Sequence, residues 1–427
     1  MAGDAHRNYE IRCPVHGFIA LNDWERGLID QPAFQRLRRI RQLAWTDLVY
    51  PGAMHTRFEH SLGVMHTASL LYDSVVRKSA DVLRREFAYT DEGLARDRQL
   101  VRLAALLHDV GHSPFSHAGE ELFPEIEGRA VKFGHEDYSA AIIRSCLRSA
   151  IEDHPLNQNA GFTAEQVAAL IEGSAEAKRS LFWRTLIDGQ MDADRMDYLL
   201  RDSCHIGVHY GKFDLHRLIS SAVVAQAEEG SGPQIGIEEG GWHAAEALVL
   251  ARYFMFTQVY FHKTRVAYDI HLRQTLKELL PNGEFPKPTE VELDQFLKWD
   301  DWRVLGLLSG GQGGEHGKRL VSRNHYREVY HTPEVFTEEE LQRLNRAKGA
   351  LGDLLVAEES AEKSWYKTGP SDISVLSSVR HPSVLPLSKY SKMIENMKGS
   401  NQVLLYVDSA RKVEGKQRIR EALEKND

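Results

Sequence analysis

Cysteine is scarce. Cys13, Cys146 and Cys204 are three in 427 residues, odd in number, far apart and without a CxxC pair. That argues against a disulfide framework or a cysteine zinc site and fits a reducing compartment. Long hydrophobic runs are lacking too: no segment stays apolar long enough to span a bilayer, and the start, MAGDAHRNYEIRC, has no apolar core of a secretory signal. Nor is positive charge in excess. Lys and Arg number 53 against 61 Asp and Glu, a net −8, which argues against a nucleic-acid coat protein although a local basic pocket can still receive an anion. No Gly-rich Walker loop is present, which excludes a P-loop NTPase, and no repeat or low-complexity tract is visible. The expectation is a soluble, cytoplasmic protein with neither a membrane nor a nucleic-acid partner.

What is there is an ordinary globular balance, 42% hydrophobic and 27% charged, in a chain longer than one core usually organises. Helical periodicity dominates the first two-thirds. Apolar positions recur at helical spacing from Phe58 to about Lys78, and RQLVRLAALLHDV (Arg98–Val110) reads as a buried helix stopped by Gly111 and Pro114. Further helices are expected from Glu136, after the Thr163/Gln166 capping box, over Gly241–Leu280, and after Thr337. The one clear sheet signal in this body is a hairpin, Ala222–Ala227 with Gln234–Glu238 across the turn EEGSGP. Ser309–Gly317, SGGQGGEHG, reads as a Gly-rich flexible linker. Beyond it, short apolar runs at Leu354–Ala357, Ile373–Leu376 and Val403–Val407 suggest strands. The fold expected is mainly α with a small β-hairpin, residues 1–308 as the main domain, 309–317 as linker and 318–427 as a smaller α+β region.

Seven of the twenty histidines fall between residues 55 and 135. His108–Asp109 closes the buried helix, and a charged aspartate there needs a partner because burying it alone is expensive. A divalent cation supplies one. His60, in RFEHSLG, opens the preceding helix and can point to the same place. A further carboxylate is required, and IDGQMDADRMDYLLRD (Ile187–Asp202) offers several, with Asp194, Tyr198 and Asp202 on one helical stripe beside Arg195 and with Met196, Leu199 and Leu200 opposite. Two imidazoles with carboxylates suit Zn, Mn, Fe or Mg chemistry, with the imidazoles disfavouring Mg or Ca alone. His112 and His117 lie in the Gly/Pro loop HDVGHSPFSHAGE and His135 in FGHEDY, where imidazoles can serve as general acid or base. Arg57, three residues before His60, joins Arg195 and a later stripe of Arg252, Phe256, Tyr260 and Lys263 as a source of phosphate-binding cations.

These stretches resemble the HD-domain phosphohydrolases, and more narrowly the deoxynucleoside triphosphate triphosphohydrolases related to the animal SAM-and-HD-domain enzyme and its bacterial relatives. The resemblance runs in order through IDQPAFQRLRRIRQL (Ile29–Leu43), VYPGAMHTRFEHSLGV (Val49–Val64), LLHDVGHSPFSHAGE (Leu106–Glu120), GHED (Gly134–Asp137), IDGQMDADRMDYLLRDS (Ile187–Ser203) and VYFHK (Val259–Lys263). It implies an HD-domain helical core with His60, His108, Asp109 and Asp194 as metal ligands for Mn, Fe or Zn, and Mg on the substrate phosphates. It implies a proton-relaying group of His112, His135 and Glu120, with His117 acting both there and on the triphosphate. Arg57, Arg195, Tyr198 and Arg252 would hold phosphates, and Gln42, Leu43, Asp202 and Tyr260 would meet sugar and base. The implied chemistry is attack of water at the α-phosphate of a dNTP, giving deoxynucleoside and inorganic triphosphate.

The resemblance also implies an activating nucleotide at Asp30, Gln35, Arg38, Arg217 and His262, and a homo-oligomer, dimer or tetramer. Here the pattern departs: Cys13–Pro14 replaces the usual Asp-Pro, Phe18 stands where a polar contact is expected, and Glu238 and Gly240 replace basic residues. An acidic side chain repels a triphosphate, so the activating ligand set is expected to differ from the animal enzyme's. The rival enzyme reading is an HD-type phosphodiesterase or nucleotidase on a monophosphate, cyclic nucleotide or oligonucleotide; a rival of another class is a nucleotide sensor with a vestigial site. Roles in dNTP homeostasis and in antiviral defence against phage are equally compatible with the sequence.

Overall fold

The computed structural model describes residues 9–226, 232–335, 337–363, 366–377 and 383–424. Over the described residues the fold is mainly α, with three small sheets. The helix Arg57–Phe87 runs through the centre. Thr56 and Glu59 close its N-terminus as a capping box, and its first half is buried nearly all round, from Phe58 through Leu62, Val64 and Met65 to Leu71. A helix buried on nearly every face belongs inside a core, and the later helices Asp91–Leu107 and Ala193–Ile206 pack on it. The capping box expected at Thr163 starts the helix Ala164–Glu172, and Thr337 caps Glu338–Leu351. Among the described residues no helix is long and apolar enough to cross a membrane.

Strands β1 (Tyr9–Cys13) and β2 (Gly17–Leu21) form an antiparallel N-terminal hairpin. The sequence expectation placed no sheet there, because only Cys13, Ile19 and Leu21 of these short strands are buried. The expected hairpin is present as β3 (Ala222–Ala225) and β4 (Gln234–Glu238), antiparallel; most of its turn, residues 227–231, lies outside the described residues. β5 (Arg327–His331), β6 (Leu355–Lys363) and β9 (Ser400–Val407) form an antiparallel sheet in the order β5-β9-β6. It packs with the helices Glu338–Leu351 and Lys412–Glu424 around Leu344, Leu351, Leu405 and Ile419.

Three expectations are corrected. Ser309–Gly317 is not a flexible linker: helix Asp301–Ser309 ends there and helix Gly314–Ser322 begins. Gly311, Gly313 and Gly314 take φ of 80, 85 and 60° to turn the chain, and Gly314 lies so close to Glu278 that a Cβ would stand 1.9 Å from its carboxylate. The boundary drawn near 318 also cuts through packed structure. β7 (Ser374–Ser377) and β8 (Ser383–Pro386) extend the β3–β4 hairpin into one sheet, with β4 and β7 parallel at Ile237↔Val375, and Ile373, Val375, Leu387 and Ile394 belong to the main core. The expected helix Gly241–Leu280 is broken. It is an α-helix Trp242–Met255, a π-helical turn Phe256–Tyr260, and, after His262 caps a new start, a second helix Lys263–Leu279. Local π-turns of this kind re-aim side chains, and this one carries Tyr260.

Candidate active site

Helix Asp91–Leu107 ends on His108 because the chain must turn at Gly111, where a Cβ would stand 2.3 Å from the Ser139 backbone nitrogen and 2.4 Å from the His135 carbonyl oxygen. That close approach docks the N-terminus of helix His135–Arg144 beside His108 and Asp109. It is pinned by Ser139, whose hydroxyl donates to the His108 carbonyl (2.6 Å) and accepts from Gly111 N–H (2.9 Å). The central helix delivers His60, and Asp192, N-cap of helix Ala193–Ile206, starts the turn that delivers Asp194.

The four expected metal ligands converge. His60 Nε2 lies 3.0 Å from Asp194 Oδ1 and 3.5 Å from Asp109 Oδ2; His108 Nε2 lies 3.2 Å from Asp109 Oδ1 and 3.8 Å from Asp194 Oδ1. His108 Nδ1 donates to the Ala105 carbonyl (2.8 Å) and His60 Nδ1 to Asp197 (2.8 Å). In the neutral rings both Nε2 atoms are therefore bare acceptors, and both are buried without a hydrogen-bond partner. Two lone pairs facing two carboxylates repel one another unless a cation stands between them. Without a metal, a proton fills that need. Burial works against a charged His60, yet contact with Asp194 and Asp197 and the charge of Asp109 outweigh it and push its pKa up to about 9. Asp109 is held well below the usual carboxylate range despite burial, chiefly by Arg57, His108 and His112. His60, His108 and Asp109 form a buried group of metal-ligand geometry, and the donor set of imidazole and carboxylate suits a divalent transition metal.

Beside it is a second histidine cluster. Glu120 Oε1 lies 3.0 Å from Nδ1 of each of His112, His117 and His135, and the His112 and His135 rings stack at 4.0 Å. Their protonation differs. Burial, with Arg57 and His135 near, lowers His112 to about 3, so it is neutral; Glu120 overcomes burial to raise His135 to about 9, so it holds a proton at neutral pH. The His117 side chain is 63% exposed. It follows Phe115 and Ser116, both at positive φ (58 and 62°), a strain of about 1–3 kcal/mol each that surrounding contacts must hold. Asp301 holds it by accepting from Phe115 N–H (2.7 Å) and Arg41 N–H (2.9 Å).

Both clusters open into a cavity of about 570 Å³, within the usual range for small-ligand sites. Arg57, Arg195, Tyr198 and Arg252 line it, as do Gln42, Leu43, Asp202 and Tyr260. Two of the expected phosphate cations already have carboxylate partners. Arg57 donates to Asp109 (2.6 Å) and Ser116, and Arg195 to Asp192 and the Gly189 carbonyl, since each is an arginine at least half-enclosed beside an acid. Of the residues expected to meet sugar and base, Asp202 accepts from Tyr260 OH (2.6 Å) and lies 2.7 Å from His55 Nε2. The positions expected for an activating nucleotide do not line this cavity. Arg38 bonds Gln35 (2.9 Å) and covers the Phe58 ring, and Asp30 is exposed; Arg217 donates to Gly240 O, while His262 caps its own helix.

Sequence reasoning missed Asp197, Arg201, His16 and His55. Asp197 and Arg201 sit in the helix expected to show its polar side at Asp194 and Asp202, yet both are fully buried. Their i, i+4 spacing is that of an ion pair, a signal that was available.

The chain matches the HD domain family over residues 57–202 and the HD associated region over 213–361. It is 31% identical to the uncharacterized protein YwfO of Bacillus subtilis, over 96% of both chains. A crystal structure of a hypothetical protein from Aquifex aeolicus superposes with a TM-score of 0.79 at 30% identity, covering 97% of this chain and 100% of the other. The deoxynucleoside triphosphate triphosphohydrolase SAMHD1 homolog of Dictyostelium discoideum is 31% identical over 67% of this chain and 50% of its own length. The human deoxynucleoside triphosphate triphosphohydrolase SAMHD1 is 32% identical over 51% of this chain and 36% of its own.

Proposed function

The chain belongs to the HD-domain phosphohydrolase family, and we propose that within it this protein is a metal-dependent hydrolase of deoxynucleoside triphosphates, releasing deoxynucleoside and inorganic triphosphate. The observation that carries this reading is one cavity lined by His108, Asp109 and Asp194, by Arg57, Arg195 and Arg252, and by the hydrogen-bonded Asp202–Tyr260 pair. A monoester would need fewer cations.

His60, His108, Asp109 and Asp194 would hold Mn, Fe or Zn, which when bound acidifies water and polarises a phosphoryl oxygen. Arg57, Arg195 and Arg252 take the negative charge of the phosphate tail, and the first two exchange Asp109 and Asp192 for phosphate oxygens as they do so. Protonated His135, beside Glu120 and His117, keeps a proton within reach of the cavity for the departing 5′-oxygen, while neutral His112 accepts one. Tyr198, Tyr260 and Asp202 position the sugar, with Gln42 and Leu43 toward the base.

The test is incubation of the purified protein with Mn or Mg and each dNTP, singly and in pairs, with products separated by ion-exchange chromatography. Deoxynucleoside with inorganic triphosphate is the expected pair, and stimulation in mixtures would identify an activating nucleotide. Monophosphate with pyrophosphate, or hydrolysis confined to monophosphates or cyclic nucleotides, would replace this reading with the nucleotidase or phosphodiesterase one.

A further inference from the structure

Behind His60, on the side away from the cavity, is a carboxylate that no part of the proposed reaction uses. Asp197 is fully buried, and four donors surround its two oxygens. Arg201 Nε reaches Oδ2 and Arg201 Nη2 reaches Oδ1, each at 2.8 Å; His16 Nε2 lies 2.6 Å from Oδ1, and His60 Nδ1 lies 2.8 Å from Oδ2. We infer that Asp197 is the positioning residue that fixes His60 as an Nε2 metal ligand, and that His16 of the N-terminal hairpin and Gly63 of the central helix are built to hold it in place. This rests on the metal-site reading given above.

Arg201 alone balances the charge of Asp197, so an ordinary buried ion pair would be complete without either histidine. The remaining lone pairs are instead spent on two imidazoles. The one on His60 sets its tautomer: with Nδ1–H committed to Asp197, the Nε2 lone pair is left facing Asp109 and Asp194. Carboxylates bonded to the far nitrogen of a ligating histidine orient the ring and raise its basicity. Gly63 is independent evidence of construction. A Cβ there would stand 1.9 Å from Asp197 Oδ1 and 2.4 Å from Arg201 Nη2, so the helix that carries His60 leaves a notch for the carboxylate that aims it. The hairpin closes the back of this notch. His16 lies in the turn between β1 and β2, and Cys13 Sγ is 3.5 Å from Arg201 Nη2, so strands without cavity contact bear on the ligand set through Asp197.

The experiment measures Mn or Zn affinity of the full chain by competition with a chromophoric chelator, together with thermal melting in metal-free buffer. His60→Ala serves as the reference for a lost site. Asp197→Asn keeps the shape but gives up the charge, and metal affinity should fall about 10–100-fold. His16→Ala and Gly63→Ala should fall in the same direction, and His16→Gln, whose amide still donates to Asp197, should recover affinity to near the native value. A purely structural Asp197 would lower the melting temperature and leave affinity unmoved, which overturns the inference. Should Asp197→Asn fail to fold, equal affinity for His16→Ala, His16→Gln and the native chain overturns it as well. Failure of the native protein to take up metal, or uptake indifferent to His60→Ala, would instead remove the metal-site reading and this inference with it.

Discussion

Replacing Arg57 by Met should reveal what its charge does, because the outcome depends on whether a metal is bound. Arg57 is 4% exposed and Asp109 1%, and their 2.6 Å contact is a buried ion pair. Removing one partner of such a pair costs about 3–5 kcal/mol, since the other charge is left uncompensated; protonation of Asp109 caps that cost. With a divalent ion beside Asp109 the carboxylate is still compensated. The loss then shrinks to the hydrogen bonding of Arg57 with Ser116 (3.0 Å from Nε), about 1 kcal/mol. The difference, about 2–4 kcal/mol, must appear by linkage as tighter metal binding in Arg57→Met, by about two orders of magnitude at 1.4 kcal/mol per decade. Urea unfolding with and without Mn gives the first quantity, chelator competition the second, and dNTP turnover should fall because a phosphate contact is gone. Equal destabilisation with and without metal, or weaker metal binding, would refute the reasoning.

Burial raises the Asp301 carboxyl to about 7, against the opposing pull of its hydrogen bonds from Arg41 and Phe115 N–H. The folded state therefore holds a proton that the unfolded chain releases near pH 4, so this contribution to stability is full below that pH and lost as pH rises through 7, a swing on the order of a few kcal/mol. Asp301→Asn should flatten the pH dependence of the melting temperature over that window; an unchanged profile would count against it. His117→Ala should lower kcat about 10²–10⁴-fold with metal affinity unchanged, since His117 contacts Glu120 and not the four ligands; loss of metal in this variant would show the two clusters to be one site. Tyr260→Phe removes a bond to the Asp202 carboxylate (2.6 Å), worth about 1.5–3 kcal/mol, and KM should rise about tenfold or more in steady-state assays.

The four candidate metal ligands were legible because each sits at a helix terminus and is out of place there as a plain charge. His108–Asp109 ends an apolar helix, and the resemblance supplied which carboxylate of Ile187–Asp202 completes the set; the structure brings Asp194 to it. Asp197 was legible only as an i, i+4 ion-pair partner of Arg201, not as a support for His60. Three residues from Asp194, it falls off the i, i+4, i+8 stripe and looks like part of the packed face, and only the three-dimensional meeting with His16, 181 residues away, gives it a role. Non-local pairing hid the sheet in the same way. The parallel contact of Ile237 with Val375 crosses the stretch that composition marked as a linker, and no periodicity within either segment announces it. The helix starts capped by Thr163 and Thr337 were readable because the signal is local. The break after Met255 was not, because TQVYFH is as apolar as the helix around it.

The most direct measurement is anomalous scattering from a metal-loaded crystal at the absorption edge of the bound ion. A peak is expected within about 2.0–2.2 Å of His60 Nε2, His108 Nε2 and oxygens of Asp109 and Asp194, lost in His108→Ala. A peak elsewhere, or none in protein that hydrolyses nucleotides, would contradict the four-ligand site.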